Sequence, residues 1–223
     1  MPSPAASDYR SARLNMVESQ IRPNKVSDPA IIDAMLAVPR ERFVPEALRG
    51  IAYVDEDIPL GGGRYLMEPM VLARLLQIAA IEPGETVLDV GCGPGYASAV
   101  MARLARSVVA LEEDAALARR AKALVAELAI ANVAVVEGVL ADGYAAGAPY
   151  DVILFGGAVA AVPPAIAGQL AKGGRLVAVL QDGPGMGKAV VMTRVDGIVA
   201  QRIMFDAGTP VLPGFAARPG FVF

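Results

Sequence analysis

Glu85-Thr86-Val87-Leu88-Asp89-Val90-Gly91-Cys92-Gly93-Pro94-Gly95-Tyr96 is the stretch around which the rest of the chain falls into place. An apolar, β-favouring run ends in an acid and then in three alternate glycines, which predicts a buried strand stopping at a tight turn. Ala97-Ser98-Ala99-Val100-Met101-Ala102-Arg103-Leu104 follows as a helix, so the turn has the form of a nucleotide-binding turn. A dinucleotide turn uses G-x-G-x-x-G, whereas this one runs Gly91-x-Gly93-x-Gly95 with Tyr96 in place of the last glycine. Asp89, two residues before the first glycine, suits a cationic ligand better than a pyrophosphate. An NAD-dependent reductase stays open as a distant alternative.

Glu112 lies 23 residues beyond Asp89 and closes a second apolar run, Val108-Val109-Ala110-Leu111, where its carboxylate could accept from two ribose hydroxyls. On either side of these segments apolar strand runs alternate with helical runs, the signature of a mostly parallel sheet flanked by helices. Strands are expected at 86–90, 107–111, 133–137, 151–155 and 174–180, with two more near 188–194 and 200–206. Ligands of such sheets sit at the carboxyl ends of the parallel strands, so Asp89, Glu112, Glu137 and Phe155 are expected to face one crevice.

Composition narrows the chemistry. The 223 residues contain 55% hydrophobic side chains, enough for one α/β domain with an extension. A net charge of −3 with mixed signs gives no reason to expect nucleic acid or a membrane surface as partner. There is no histidine, which removes imidazole-based nucleophile activation and histidine-ligated zinc, and no metal is expected. The single cysteine, Cys92, cannot form an intrachain disulfide, and no signal peptide or spanning apolar run is visible, so a cytoplasmic location is the default expectation.

Along the chain, residues 1–8 are expected to fray, and helices are predicted from Tyr9 to about Gln20 and from Asp28 to Val38, with Ser27-Asp28-Pro29 as cap and first turn. Pro39-Arg40-Glu41-Arg42-Phe43-Val44-Pro45 is a proline-bracketed turn with a buried Phe43 and charges on a solvated edge. An alanine-rich helix over 115–131, ending at Asn132, would carry Arg119, Arg120 and Lys122 on its wet face, and Gly183-Pro184-Gly185-Met186-Gly187 reads as a surface loop. The tail from Gly208, with Pro210, Pro213 and Pro219 and exposed-looking Phe215, Phe221 and Phe223, could pack on the domain or on a second copy.

The glycine block resembles motif I of the class I methyltransferases, whose ligand S-adenosylmethionine carries a sulfonium and an amino acid moiety. With Met16-Val17-Glu18-Ser19-Gln20-Ile21, the Pro39–Pro45 element and Ala52-Tyr53-Val54-Asp55, it looks like the protein-L-isoaspartate (D-aspartate) O-methyltransferase family. Ala148-Pro149-Tyr150-Asp151-Val152-Ile153, Val162-Pro163 and Gln169-Leu170-Ala171-Lys172-Gly173-Gly174-Arg175-Leu176-Val177 extend the resemblance to the fourth and fifth strands. It implies a single Rossmann-like domain over 1–223: an N-terminal helical extension (1–60), a cofactor-binding core (61–180), and C-terminal strands and tail (181–223).

By that resemblance, Asp89, Gly91, Cys92, Gly93 and Gly95 hold the methionine end of the cofactor, Glu112 the ribose, and Glu137, Gly138, Val139 and Leu140 the adenine side. It further implies esterification of the α-carboxylate of isoaspartyl residues, a protein repair reaction. Two departures stand out. Val139 replaces an acid of the family's G-D-G, with Asp142-Gly143 three residues on, and the substrate loop G-Q-T-I-S-x-P reads Gly63-Arg64-Tyr65-Leu66-Met67-Glu68-Pro69. Met67 cannot donate a hydrogen bond to a carboxylate, whereas Arg64 or Tyr65 could. Transfer to another small-molecule or protein acceptor, and a non-catalytic S-adenosylmethionine-binding module, stay open beside isoaspartyl transfer. The oligomeric state is not specified by the sequence.

Overall fold

A computed structural model describes residues 6–195 and 198–217. The chain opens with α1 (Ala6–Met16), which widens into a π turn at Val17–Ile21, followed by α2 (Pro29–Ala37). Asp28 caps α2 by accepting from Ala30 N at 2.8 Å, and Pro29 supplies the first turn, as the sequence predicts. Residues 6–8 are helical instead of frayed, and residues 1–5 lie outside the described residues. A short hairpin of β1 (Ile58–Gly61) and β2 (Arg64–Leu66) leads into α3 (Pro69–Ala79).

The core sheet follows: β3 (Thr86–Val90), α4 (Tyr96–Met101), β4 (Ser107–Glu112), α5 (Ala115–Glu127), β5 (Val133–Glu137), β6 (Tyr150–Val159), α6 (Pro164–Ala167), β7 (Leu170–Leu180), β8 (Gly187–Val195) and β9 (Ile198–Ala207). Its strand order is β5-β4-β3-β6-β7-β8-β9. The first five strands run parallel, while β8 pairs antiparallel with both β7 and β9. The chain leaves β3 toward β4 on one side and returns to β6 on the other. The switch point, where ligands of open α/β sheets bind, therefore lies at the carboxyl ends of β3 and β6.

Alternation along β3 explains the two-sided core. Val87 joins the apolar cluster that includes α2, α3 and α4, while Leu88 and Val90 point to the opposite cluster with Ile153, Phe155, Ile166 and Leu176. Asp89 sits between Leu88 and Val90 in sequence and so faces the α4 side, where Ser98 meets it. Phe155 belongs to the other face. It packs edge-on against Phe215 at 5.7 Å, so it does not share a crevice with Asp89 as expected.

Other differences trace to long-range partners. α4 stops at Met101, short of Leu104, and α5 stops at Glu127 because Ala129 turns left-handed at φ 51°. Asn132 then ties the connection down through donors to Ala102 O (2.8 Å) and Ala105 O (3.2 Å). Arg120, expected on a solvated face, donates to Arg42 O (3.0 Å) and Val44 O (2.8 Å) and braces the Pro39–Pro45 element. Arg40 and Glu41 of that element are buried instead of edging into solvent. The tail folds onto its own domain: Ala158 N donates to Pro210 O, Leu212 N to Ala158 O, and Ala160 N to Phe215 O. Phe215 is buried, not exposed, while Pro219, Phe221 and Phe223 lie outside the described residues.

Candidate active site

The site is built at the ends of β3 and β4. Gly91 has φ 79°, a conformation glycine adopts without strain. A Cβ there would stand 3.0 Å from the Arg64 guanidinium and 3.2 Å from Leu212, so the turn also needs the space. Gly91 N and Cys92 N both donate to Leu111 O, which fixes the turn against β4. Cys92 is buried with Sγ 3.5 Å from Gly93 O, and burial pushes its thiol well above the ordinary range, with Asp89 and Glu112 adding to the effect.

Asp89 is fully buried. Its Oδ2 accepts from Ser98 Oγ at 2.5 Å, but its Oδ1 has no partner. Burial pushes this carboxyl up to about 7, and the neighbouring Glu112 raises it too, against the opposing pull of Ser98 and Arg64. A bare carboxylate oxygen inside a crevice is a costly group awaiting a cationic or hydrogen-bond-donating partner.

Glu112, by contrast, is saturated. Oε1 accepts from Arg64 Nη1 (3.1 Å), Glu113 N (2.9 Å) and Asp114 N (3.0 Å), and Oε2 from Arg64 Nη2 (2.9 Å) and Gly93 N (2.6 Å). Arg64 Nη2 also donates to Gly91 O at 2.7 Å, which leaves its Nε unpartnered. The side chains of this pair are 5% and 0% exposed. Such a forked, buried pair is held by geometry as much as by charge.

The remaining sequence-predicted residues divide. Tyr65 is exposed and Met67 buried, and both line the narrow cavity beside Asp89, Gly91, Tyr96 and Gly156. Met67 O accepts from Arg40 Nη2 at 2.8 Å, and Arg40, wholly buried, also donates to Ala52 O at 2.7 Å. Its guanidinium lies 4.9 Å from the Tyr96 ring centre, and Tyr96 packs edge-on to Phe43 at 5.5 Å. The proline-bracketed element is thereby clamped onto the glycine turn. On the third strand end, Gly138 N donates to Glu112 O at 3.0 Å, Glu137 and Val139 are exposed, and Leu140 is buried in the second core cluster. Asp142 is exposed, its carbonyl held by Gln169.

Sequence reasoning missed Ser98, Arg40 and Leu212. Ser98, the one aliphatic hydroxyl on α4, carried the one usable signal; the other two are placed by contacts remote in sequence. The acceptor set fits a nucleoside bearing an amino acid moiety, with a bare carboxylate oxygen on β3, a second carboxylate on β4, and a glycine turn between them. Free space does not yet match, since the cavity here is about 20 Å³, room for about one water. Arg64 and Leu212 close in on Gly91 at the edge of the turn.

These features define a Rossmann-like domain of the class I methyltransferase type. The sequence profile of the protein-L-isoaspartate(D-aspartate) O-methyltransferase (PCMT) family matches residues 11–206, and the chain belongs to that family. It is 41% identical over 172 residues to protein-L-isoaspartate O-methyltransferase 1 of Rhodopseudomonas palustris, covering 77% of this chain and 70% of that one. It is 43% identical over 173 residues to the Methylorubrum extorquens protein-L-isoaspartate O-methyltransferase, covering 76% and 74%. A solved protein-L-isoaspartate O-methyltransferase superposes with a TM-score of 0.79 at 27% identity, over 92% of this chain and 67% of that one. A Plasmodium falciparum structure described as a PCMT in complex with S-adenosyl-L-homocysteine shares the fold, with a TM-score of 0.76 at 21% identity, over 92% and 97%.

Proposed function

We propose that this chain is an S-adenosylmethionine-dependent methyltransferase that esterifies the α-carboxylate of isoaspartyl residues in proteins and peptides. The observation that carries the reading is the pairing of Asp89, with its bare Oδ1, and Glu112 at adjacent strand ends on one glycine turn. The curated relatives supply the acceptor class. When bound, S-adenosylmethionine supplies a methyl group activated by its sulfonium.

The chain's own part is binding, positioning and exclusion of water. Asp89 Oδ1 receives the ligand's ammonium, Glu112 accepts from its ribose hydroxyls, and the Gly138–Leu140 turn with Glu137 borders the adenine side. The backbone of Gly91, Cys92, Gly93 and Gly95 brings the turn close. An acceptor carboxylate is ionised at neutral pH and needs no general base, which agrees with a chain without histidine. Arg64 and Tyr65 on β2 and Met67 just after it are assigned to the acceptor side. Because Tyr65 and Met67 stand where the family pattern has threonine and serine, a different carboxylate-bearing acceptor is the second reading. Among the described residues no helix is long and apolar enough to cross a membrane.

Transfer of labelled methyl from S-adenosylmethionine to an isoaspartyl peptide, beside its aspartyl twin, tests the proposal. Labelling of the isoaspartyl peptide alone is expected. Labelling of neither, or of both equally, would remove isoaspartyl esterification.

A further inference from the structure

Arg64 stands where the proposed function needs room. Its guanidinium forks onto both oxygens of Glu112, the carboxylate that the ribose hydroxyls would engage, and it also holds Gly91 O on the floor of the crevice. The turn immediately before it is built of Gly61, Gly62 and Gly63, with φ of 94°, 59° and 75°, and glycines place the fewest steric limits on a change of backbone conformation. Glu112 keeps three backbone donors, from Gly93, Glu113 and Asp114, so it remains oriented when the guanidinium leaves. Arg64 does not. Its other carboxylate-side partner is a single carbonyl, and a guanidinium freed at this depth requires a new anion. The acceptor in the reaction is itself a carboxylate.

We propose that Arg64 is a latch that exchanges carboxylates: it closes the crevice on Glu112 in the ligand-free protein, is displaced by the cofactor's ribose, and then binds the acceptor carboxylate. This rests on the function proposed above and adds an order to it. Cofactor binding creates the acceptor site, and the free protein keeps both sites closed. The latched state lowers apparent cofactor affinity by the fraction of molecules in which Glu112 is free. Removing the arginine should therefore tighten cofactor binding while loosening acceptor binding, a pair of opposite shifts that loss of a merely structural residue would not produce.

Calorimetric titration of wild type, Arg64→Ala and Arg64→Lys with S-adenosylhomocysteine, followed by an isoaspartyl peptide, tests the latch. In wild type the peptide should bind only when S-adenosylhomocysteine is present. Arg64→Ala should bind S-adenosylhomocysteine about tenfold tighter or better and lose peptide binding in its presence. Arg64→Lys, which keeps the charge but not the fork, should shift both affinities in the same directions by less, and it carries the test if the alanine variant does not fold. Unchanged or weaker S-adenosylhomocysteine binding in the variants, or peptide binding to wild type without it, overturns the latch and leaves the methyltransferase reading standing. Failure of every form to bind S-adenosylhomocysteine overturns both.

Discussion

Replacing Asp89 with asparagine should stabilise the ligand-free protein at pH 8 and remove most of its affinity for S-adenosylhomocysteine. The carboxyl is wholly buried, keeps one oxygen without a partner, and is pushed from 3.8 up to about 7. A difference of about 3 pKa units corresponds to about 4 kcal/mol between its protonated and ionised forms in the fold. Because the folded value lies above the unfolded one, the native state holds the extra proton between about pH 4 and pH 7. The contribution of this carboxyl to stability falls as pH rises through that window and is gone above it.

Asparagine carries no charge and still offers an oxygen to Ser98, so it should recover about 2 kcal/mol or more at pH 8 and almost nothing near pH 4. Urea unfolding of both proteins at the two pH values measures this. The same carboxyl must ionise to hold the ligand's ammonium, so wild-type affinity should fall about tenfold per pH unit below 7, about a hundredfold by pH 5. Calorimetry in buffers of different ionisation enthalpy should show close to one proton released per ligand at the acid end. A less stable Asp89→Asn at pH 8, or an affinity flat from pH 5 to pH 8, would refute the assignment of Asp89 as a buried, ligand-awaiting acid.

Three further outcomes follow from the packing. Arg40→Met should cost about 3 kcal/mol in urea unfolding, because Ala52 O and Met67 O lose their buried donors; a loss below about 1 kcal/mol would show that Arg40 is not the clamp between the proline-bracketed element and the glycine turn. Arg175 donates to Ala79 O, Ala80 O and both Glu85 oxygens at the far ends of α3 and β3, so Arg175→Ala should cost about 1–3 kcal/mol with S-adenosylhomocysteine affinity unchanged, and an altered affinity would contradict its distance from the site. Phe215→Ala should cost about 3 kcal/mol and speed proteolytic removal of the tail; an unchanged cleavage rate would show that the Phe155 contact does not hold it.

Much of this fold can be read from residues close in sequence. Thr86–Val90, Ser107–Glu112 and Val133–Glu137 are apolar runs closed by acids or glycines, and their strands fall within a residue of expectation. Asp28-Pro29 carries its own start signal. What local pattern could not supply is the fate of charge and of the tail. Arg40 is buried because Ala52, Met67 and Tyr96 converge on it from three separate segments. Arg120 leaves the wet face of α5 for carbonyls about eighty residues upstream. Phe215 is covered by Phe155, which no periodicity in a proline-broken tail could indicate. In the site, Asp89, Glu112 and the glycines were legible from their spacing, and Arg64 was legible as a carboxylate binder. That it binds this chain's own Glu112 depends on the hairpin folding back across the crevice.

Methylation of isoaspartyl carboxylates by this chain is read from its products. An isoaspartyl peptide incubated with the protein and S-adenosylmethionine should gain one methyl ester, lose it as methanol on standing at mild alkaline pH, and reappear partly as the aspartyl peptide through the succinimide. A peptide recovered unmethylated from protein that binds S-adenosylhomocysteine, or one methylated at another group, would contradict the account.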